Sequence, residues 1–154
     1  MNLNLVNRMP AAIRTAEVVW EKDLLTGHGS VKIMSGALPE FPVTWASRTE
    51  MPEGKTSPEE LLAAAHASCY AMALSATLSR KRTPPERLDV TAKCTFDKVG
   101  DGFKVTTMEL TVHGKVPNVQ PSAFQEIAKE AEKGCPISNA IRNNVEIRLT
   151  AQLD

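Results

Sequence analysis

The segment from Leu61 to Leu78, LLAAAHASCYAMALSATL, constrains this chain more than any other. Its apolar residues cover nearly every helical face, and a strip of small side chains along it would let another helix or a sheet approach closely. Ser57, Pro58 and Glu60 mark its start: an N-cap serine, a proline at the first helical position and a glutamate three residues after the cap. The helix is predicted to run from Pro58 to about Ser79. There Arg80, Lys81 and Arg82 suit the negative end of the dipole, and Pro84-Pro85 stops the chain. His66, Ser68, Ser75 and Thr77 make this stretch a poor membrane span and a good core helix.

Around it the sequence reads as strands and shorter helices. Strands are predicted at Thr15–Trp20, Ser30–Met34 and Val43–Ser47, forming a small antiparallel sheet. Leu88 to Phe96 alternates apolar and polar residues as a half-buried strand does, and Asp97 to Gly102 makes a turn. In the strand from Phe103 to His113 the apolar phase slips, as a bulge would cause. A helix is predicted at Pro121–Lys133, ended by Gly134, and a short one from Cys135-Pro136 to about Asn143. Val145 to Leu153 alternates as a last strand. Strands and helices are partly segregated without a repeating βαβ rhythm, so the fold class is α+β.

With 154 residues, 42% of them apolar, the chain has material for one core. We expect a single domain over residues 13–154, preceded by an extension, residues 1–12. Lys plus Arg equals Asp plus Glu at 18 each, so no net field attracts nucleic acid or an anionic membrane. The N-terminal residues lack the unbroken apolar run of a secretory signal, which predicts a cytoplasmic protein. In that compartment three cysteines do not suggest a structural disulfide framework, and any disulfide is expected to be transient and chemical.

Cys69 lies in the apolar helix, where a thiol can be no more than a small hydrophobe. Cys135 stands at a helix start, where backbone N–H groups and the dipole favour thiolate. Cys94 takes an inward strand position that packing alone explains. Cys69 and Cys135 are 66 residues apart, neither a CxxC motif nor a zinc spacing, so their separation leaves them unpaired. It permits a two-cysteine peroxide cycle, in which one thiolate becomes a sulfenic acid and the other condenses with it to a disulfide. Such a cycle needs a cation near the attacking sulfur and a carboxylate to hold the cation. Arg48 and Glu59 are candidates, although Glu59 lies roughly 15 Å along the helix from Cys69, which favours a site shared between two chains. His66, three residues before Cys69, is expected to be a buried hydrogen-bonded histidine rather than the base of a Cys/His hydrolase. No ligand spacing supports a metal, and no cofactor is predicted.

Two segments carry a family resemblance. Thr56-Ser57-Pro58-Glu59-Glu60-Leu61-Leu62-Ala63-Ala64-Ala65-His66-Ala67-Ser68-Cys69 resembles the central helix motif of the OsmC branch of the osmotically inducible/organic hydroperoxide resistance family. Lys133-Gly134-Cys135-Pro136-Ile137-Ser138 resembles its second-cysteine motif. The resemblance implies antiparallel sheets around a long central helix in an intertwined homodimer. It also implies a thiol peroxidase for organic hydroperoxides and, less readily, hydrogen peroxide. In it Cys69 attacks, Cys135 resolves, Glu59 and Arg48 complete the site, and a dithiol such as a lipoyl group resets it. The readings left beside it are a binding module for a hydrophobic ligand and the hydrolase using His66.

Overall fold

The computed structural model describes residues 10–154; most of the predicted extension, residues 1–9, lies outside the described residues. The chain divides into two compact units at Ser57/Pro58.

In the N-terminal unit β1 (Ala16–Glu21), β2 (His28–Ile33) and β3 (Phe41–Val43) form an antiparallel sheet in chain order. Val18 faces Val31 and Trp20 faces Gly29 in the register. A Cβ on Gly29 would come within 2.8 Å of both the Trp20 ring and Val43, so only glycine lets these groups close over the strand. Val31 is buried, whereas every residue of β1 is exposed.

The third predicted strand, Val43–Ser47, is overturned past its first residue: Trp45–Thr49 is a helical turn, α1. Thr44 accepts from the Ser47 N–H at 3.0 Å while Ser47 Oγ accepts from the Thr44 N–H at 3.0 Å. This capping box, with serine in the place of the usual glutamate, satisfies two amides that a strand would have paired with a neighbour. The apolar alternation of Val43 and Trp45 concealed it.

In the C-terminal unit α2 spans Pro58–Arg80, starting where the proline signal predicts. The strands β4 (Arg87–Val99) and β5 (Gly102–Lys115) pair as a long antiparallel hairpin turning at Gly100, whose φ is +61°. Both run further towards the turn than the alternation suggested. The bulge is present: Thr95 pairs with Thr107 and Phe96 with Val105, leaving Thr106 as the extra residue. The helices α3 (Pro121–Gly134) and α4 (Pro136–Ile141) then carry the chain across to β6 (Glu146–Leu153). That helical crossover returns β6 alongside β5 in the same direction, so this sheet is mixed and not antiparallel as expected.

One face of α2 supplies Tyr70, Leu74 and Leu78, all fully buried against Leu110 and Val112 of β5 and Phe124, Ala128 and Ala131 of α3. Burial of each such side chain stabilises by about 1.5–3 kcal/mol. Near the end of β5, the middle strand, Gly114 makes room for a ring: a Cβ there would stand 2.4 Å from Phe124 Cζ. A smaller cluster joins Ala63, Met108 and Val145. The opposite face of α2 is uncovered, with Met72 at 68% exposure and Ala64, Ala65, Ser68 and Ala76 exposed beside it. By length and composition alone α2 could cross a membrane; its inner face packs on a sheet and a helix as a core helix does.

Candidate active site

Cys69 occupies the flank of α2, between its buried and its open face, and is half-buried. Cys135 is fully buried at the joint of two helices. Its N–H donates to Glu132 O at 3.2 Å to cap α3, and its carbonyl accepts the Asn139 N–H at 3.0 Å to begin α4. The core packing of α2 against α3 thereby places the two sulfurs 3.4 Å apart, the Cys135 thiol donating to Cys69 Sγ. Both are free thiols. The pairing that chain separation left open is thus a direct contact.

Burial pushes the Cys69 thiol above its ordinary range. Against it, the Ile137 backbone N–H from the first turn of α4 hydrogen-bonds the Cys69 sulfur and favours thiolate, while the Cys135 side chain pushes upward again. By its place in the sequence, Cys135 stands at the helix start. The structure turns an amide of that start towards Cys69 instead. Ile137 was invisible to sequence reasoning because its contribution is a backbone group.

Beside Cys69 a groove of about 350 Å³ runs over Met72, Ala73, Ala76, Gly134 and Pro136. Small or apolar side chains predominate in its lining, with Thr77, Arg80 and Glu130 as the polar members, so it suits an organic molecule that also carries a polar end.

His66 is fully buried, and its Nε2 lies 2.7 Å from Ser138 Oγ. Burial holds its pKa below the ordinary histidine value; Glu132 opposes this and Arg142 assists it. The buried, hydrogen-bonded histidine expected from sequence is present. Its partner is Ser138, while the Cys69 sulfur is bonded to Cys135 and Ile137, which is not the imidazole–sulfur contact a Cys/His hydrolase needs. Ser138 was quoted in the second-cysteine motif but given no role.

Glu59 is buried in the first turn of α2, where the helix dipole favours its charge. After burial, it is the second cause raising the Cys94 thiol, and Cys94 packs on the Ala63 cluster, as its packing role requires. In the N-terminal unit Arg48 occupies the last turn of α1, with its guanidinium carbon 5.8 Å from the centre of the Trp45 ring. Among the described residues no cluster of three His, Cys, Asp or Glu side chains could hold a metal ion.

A half-buried helix cysteine facing a second thiol at a helix joint, on an α+β frame, defines a cysteine-based redox protein. The chain belongs to the OsmC-like protein family, which matches residues 51–150. It is 40% identical to the peroxiredoxin OsmC of Escherichia coli over 134 residues, 87% of this chain and 92% of that protein. With the organic hydroperoxide resistance protein OhrA of Bacillus subtilis it shares 31% identity over 104 residues, 66% of this chain and 71% of the relative. The crystal structure of the Bacillus subtilis organic hydroperoxide resistance protein OhrB superposes with a TM-score of 0.71 at 25% identity, covering 91% of this chain and 98% of that one. The corresponding Elizabethkingia anophelis protein gives 0.69 at 27% identity, covering 94% and 100%. The family resemblance and the α+β fold expected with it are borne out.

Proposed function

We propose that this protein is a thiol-dependent hydroperoxide reductase working through Cys69 and Cys135. The observation that carries the reading is the 3.4 Å contact between the two sulfurs, with Cys69 lining a largely apolar groove. Two free thiols this close can pass between dithiol and disulfide with little rearrangement, because an S–S bond of about 2.05 Å needs a closure of only about 1.4 Å. The relatives, a peroxiredoxin and an organic hydroperoxide resistance protein, agree with this chemistry.

In the cycle the Cys69 thiolate attacks the outer peroxide oxygen. The O–O bond breaks, the alkoxide leaves as an alcohol after taking a proton, and Cys69 becomes a sulfenic acid. Cys135 then attacks the oxidised sulfur; the S–S bond forms, the S–O bond breaks and water leaves. An external dithiol, of lipoyl type, reduces the disulfide by two exchange steps and departs as its own disulfide. The groove favours organic hydroperoxides over hydrogen peroxide, since a tail lying along Met72 and Ala76 adds apolar contact that hydrogen peroxide lacks.

Burial raises the Cys69 thiol, so an attacking thiolate at neutral pH needs a cation beyond the Ile137 amide. Arg48 takes that role, and Glu59 holds the guanidinium through charge and hydrogen bonding. The protein works as a cytoplasmic homodimer. The exposed Val18, Val19, Leu24 and Leu25 of the N-terminal unit and, separately, Met72 on the open face of α2 support dimerisation, since exposed large apolar side chains favour association.

The test is turnover of cumene hydroperoxide with dihydrolipoamide, comparing wild type, Cys69→Ser and Cys135→Ser while counting free thiols by mass. Turnover by wild type, none by Cys69→Ser and a single oxidation by Cys135→Ser are expected. A wild-type protein that consumes no peroxide and forms no Cys69–Cys135 bond would sink the reading. It would leave the binding module, which needs neither thiol.

A further inference from the structure

The His66–Ser138 hydrogen bond joins two fully buried side chains 72 residues apart. His66 lies one turn before Cys69 on α2, and Ser138 lies three residues after Cys135 in α4. The bond therefore ties together the same two elements that carry the sulfurs, alongside the sulfur contact. The place is an unusual one for an imidazole. Nδ1 is buried and has no hydrogen-bond partner among the described residues, a cost that an apolar side chain of similar size would avoid. What the ring adds is direction. An apolar residue would pack against α4 in several rotations of that helix about its axis, whereas a 2.7 Å bond to one hydroxyl permits one.

Apolar packing of Ile137 on the main core and of Ile141 on the smaller cluster holds α4 in place, but packing of this kind sets its rotation about its own axis less sharply than a directed bond does. The helix has six residues, begins with Pro136 and receives no side-chain cap from Cys135. Its far end is held by Arg142, which reaches Glu132 Oε1 at 2.7 Å and the Glu132 carbonyl at 3.3 Å. Among the described residues, the hydrogen bonds that tie the start of α4, where Cys135 sits, to α2 are the two sulfur-centred ones and His66–Ser138. Oxidation of Cys69 disturbs the first two: the thiolate that accepts from Ile137 becomes a sulfenic acid, and the added oxygen crowds the Cys135 thiol. The bond between His66 and Ser138 involves no sulfur and outlasts that change.

We propose that His66 and Ser138 are positioning residues for the second half of the cycle, keeping the Cys135 sulfur against Cys69 while Cys69 carries the sulfenic acid; this rests on the thiol-cycle reading above. In the step they serve, the Cys135 sulfur donates its electron pair to the Cys69 sulfur, the S–O bond breaks, and the departing hydroxide takes the Cys135 proton to leave as water. Without the tie, α4 samples rotations that turn Cys135 away, and the sulfenic acid persists.

The experiment mixes fully reduced protein with one equivalent of cumene hydroperoxide in the presence of dimedone, which traps sulfenic acid. Mass spectrometry then reads the ratio of Cys69–dimedone adduct to Cys69–Cys135 disulfide. Ser138→Ala and His66→Leu are both expected to raise this ratio about tenfold over wild type. His66→Gln, whose amide nitrogen can stand where Nε2 stands, is expected to restore most of the disulfide. General destabilisation would lower both products together and leave the ratio unmoved. A wild-type ratio in either folded variant would overturn the proposal, as would a His66→Gln ratio equal to that of His66→Leu. If one variant fails to fold, the other decides. Wild-type protein yielding neither adduct nor disulfide would instead overturn the thiol cycle, and the latch with it.

Discussion

In the C-terminal unit eleven buried residues make one cluster around Tyr70, Leu74 and Phe124, whereas the N-terminal unit buries Val31 and leaves Val18, Val19, Leu24 and Leu25 open to solvent. Both units have a three-stranded sheet. The difference lies in what covers it. Helices α2 and α3 close one face of the C-terminal sheet, while the five-residue α1 is too short to do the same for its own. One unit carries its core within itself, and the thiol pair is a product of that core. The other has apolar strands in need of a cover.

The largest expected effect tests whether the chemistry belongs to the core-bearing unit: Cys69→Ser abolishes peroxide consumption, measured by loss of cumene hydroperoxide. Residual turnover beyond background would break that assignment. Next, Arg48→Ala is expected to slow peroxide reduction by roughly 10²–10³-fold with unchanged circular dichroism. A near-normal rate would confine the whole active site to the C-terminal unit.

Packing offers a matched pair. Leu74→Ala is expected to cost about 2–5 kcal/mol in denaturant unfolding, and Val18→Ala under about 1 kcal/mol in dilute protein. If a second copy covers β1, the Val18→Ala cost grows with protein concentration, and Val18→Asp shifts the sedimentation mass towards the monomer. Equal costs at every concentration would erase the contrast between the two units.

The smallest effect concerns pH. Burial holds the His66 pKa below its ordinary 6.5 in the folded protein, so the unfolded chain binds that proton first as pH falls. The stability this group contributes is present above 6.5 and is lost below it, as pH descends towards the folded value. His66→Leu is expected to flatten the decline in Tm between pH 7 and 5 by a few degrees or less. An unchanged slope would mean the ring is already charged in the fold.

Sequence reading reached most of the C-terminal unit because its signals are local. Ser57-Pro58 marks the helix start, the alternation after Leu88 marks a strand, and the phase slip before Met108 marks a bulge. It misread Trp45 to Ser47, where one hydroxyl in the place of a glutamate closes a capping box. It also missed the parallel direction of β6, which follows from a crossover longer than any local pattern. The thiol pair was legible only through resemblance to known motifs. No rule of spacing brings together residues 66 positions apart, and the contact depends on how α2 and α3 pack. Ser138 stood in plain view without a role, because its partner is a histidine on another helix.

Gly114 has a reach that its size conceals. The Phe124 ring occupies the space where a side chain on Gly114 would stand, and Phe124 belongs to the first turn of α3, the helix that ends at Cys135. A single methyl group added at Gly114 would lift that first turn, and a stiff helix tilted at one end swings at the other. The alignment of two sulfurs thus hangs on an absent carbon 21 residues upstream, at a position that touches neither peroxide nor thiol and that no inspection of the active site would single out.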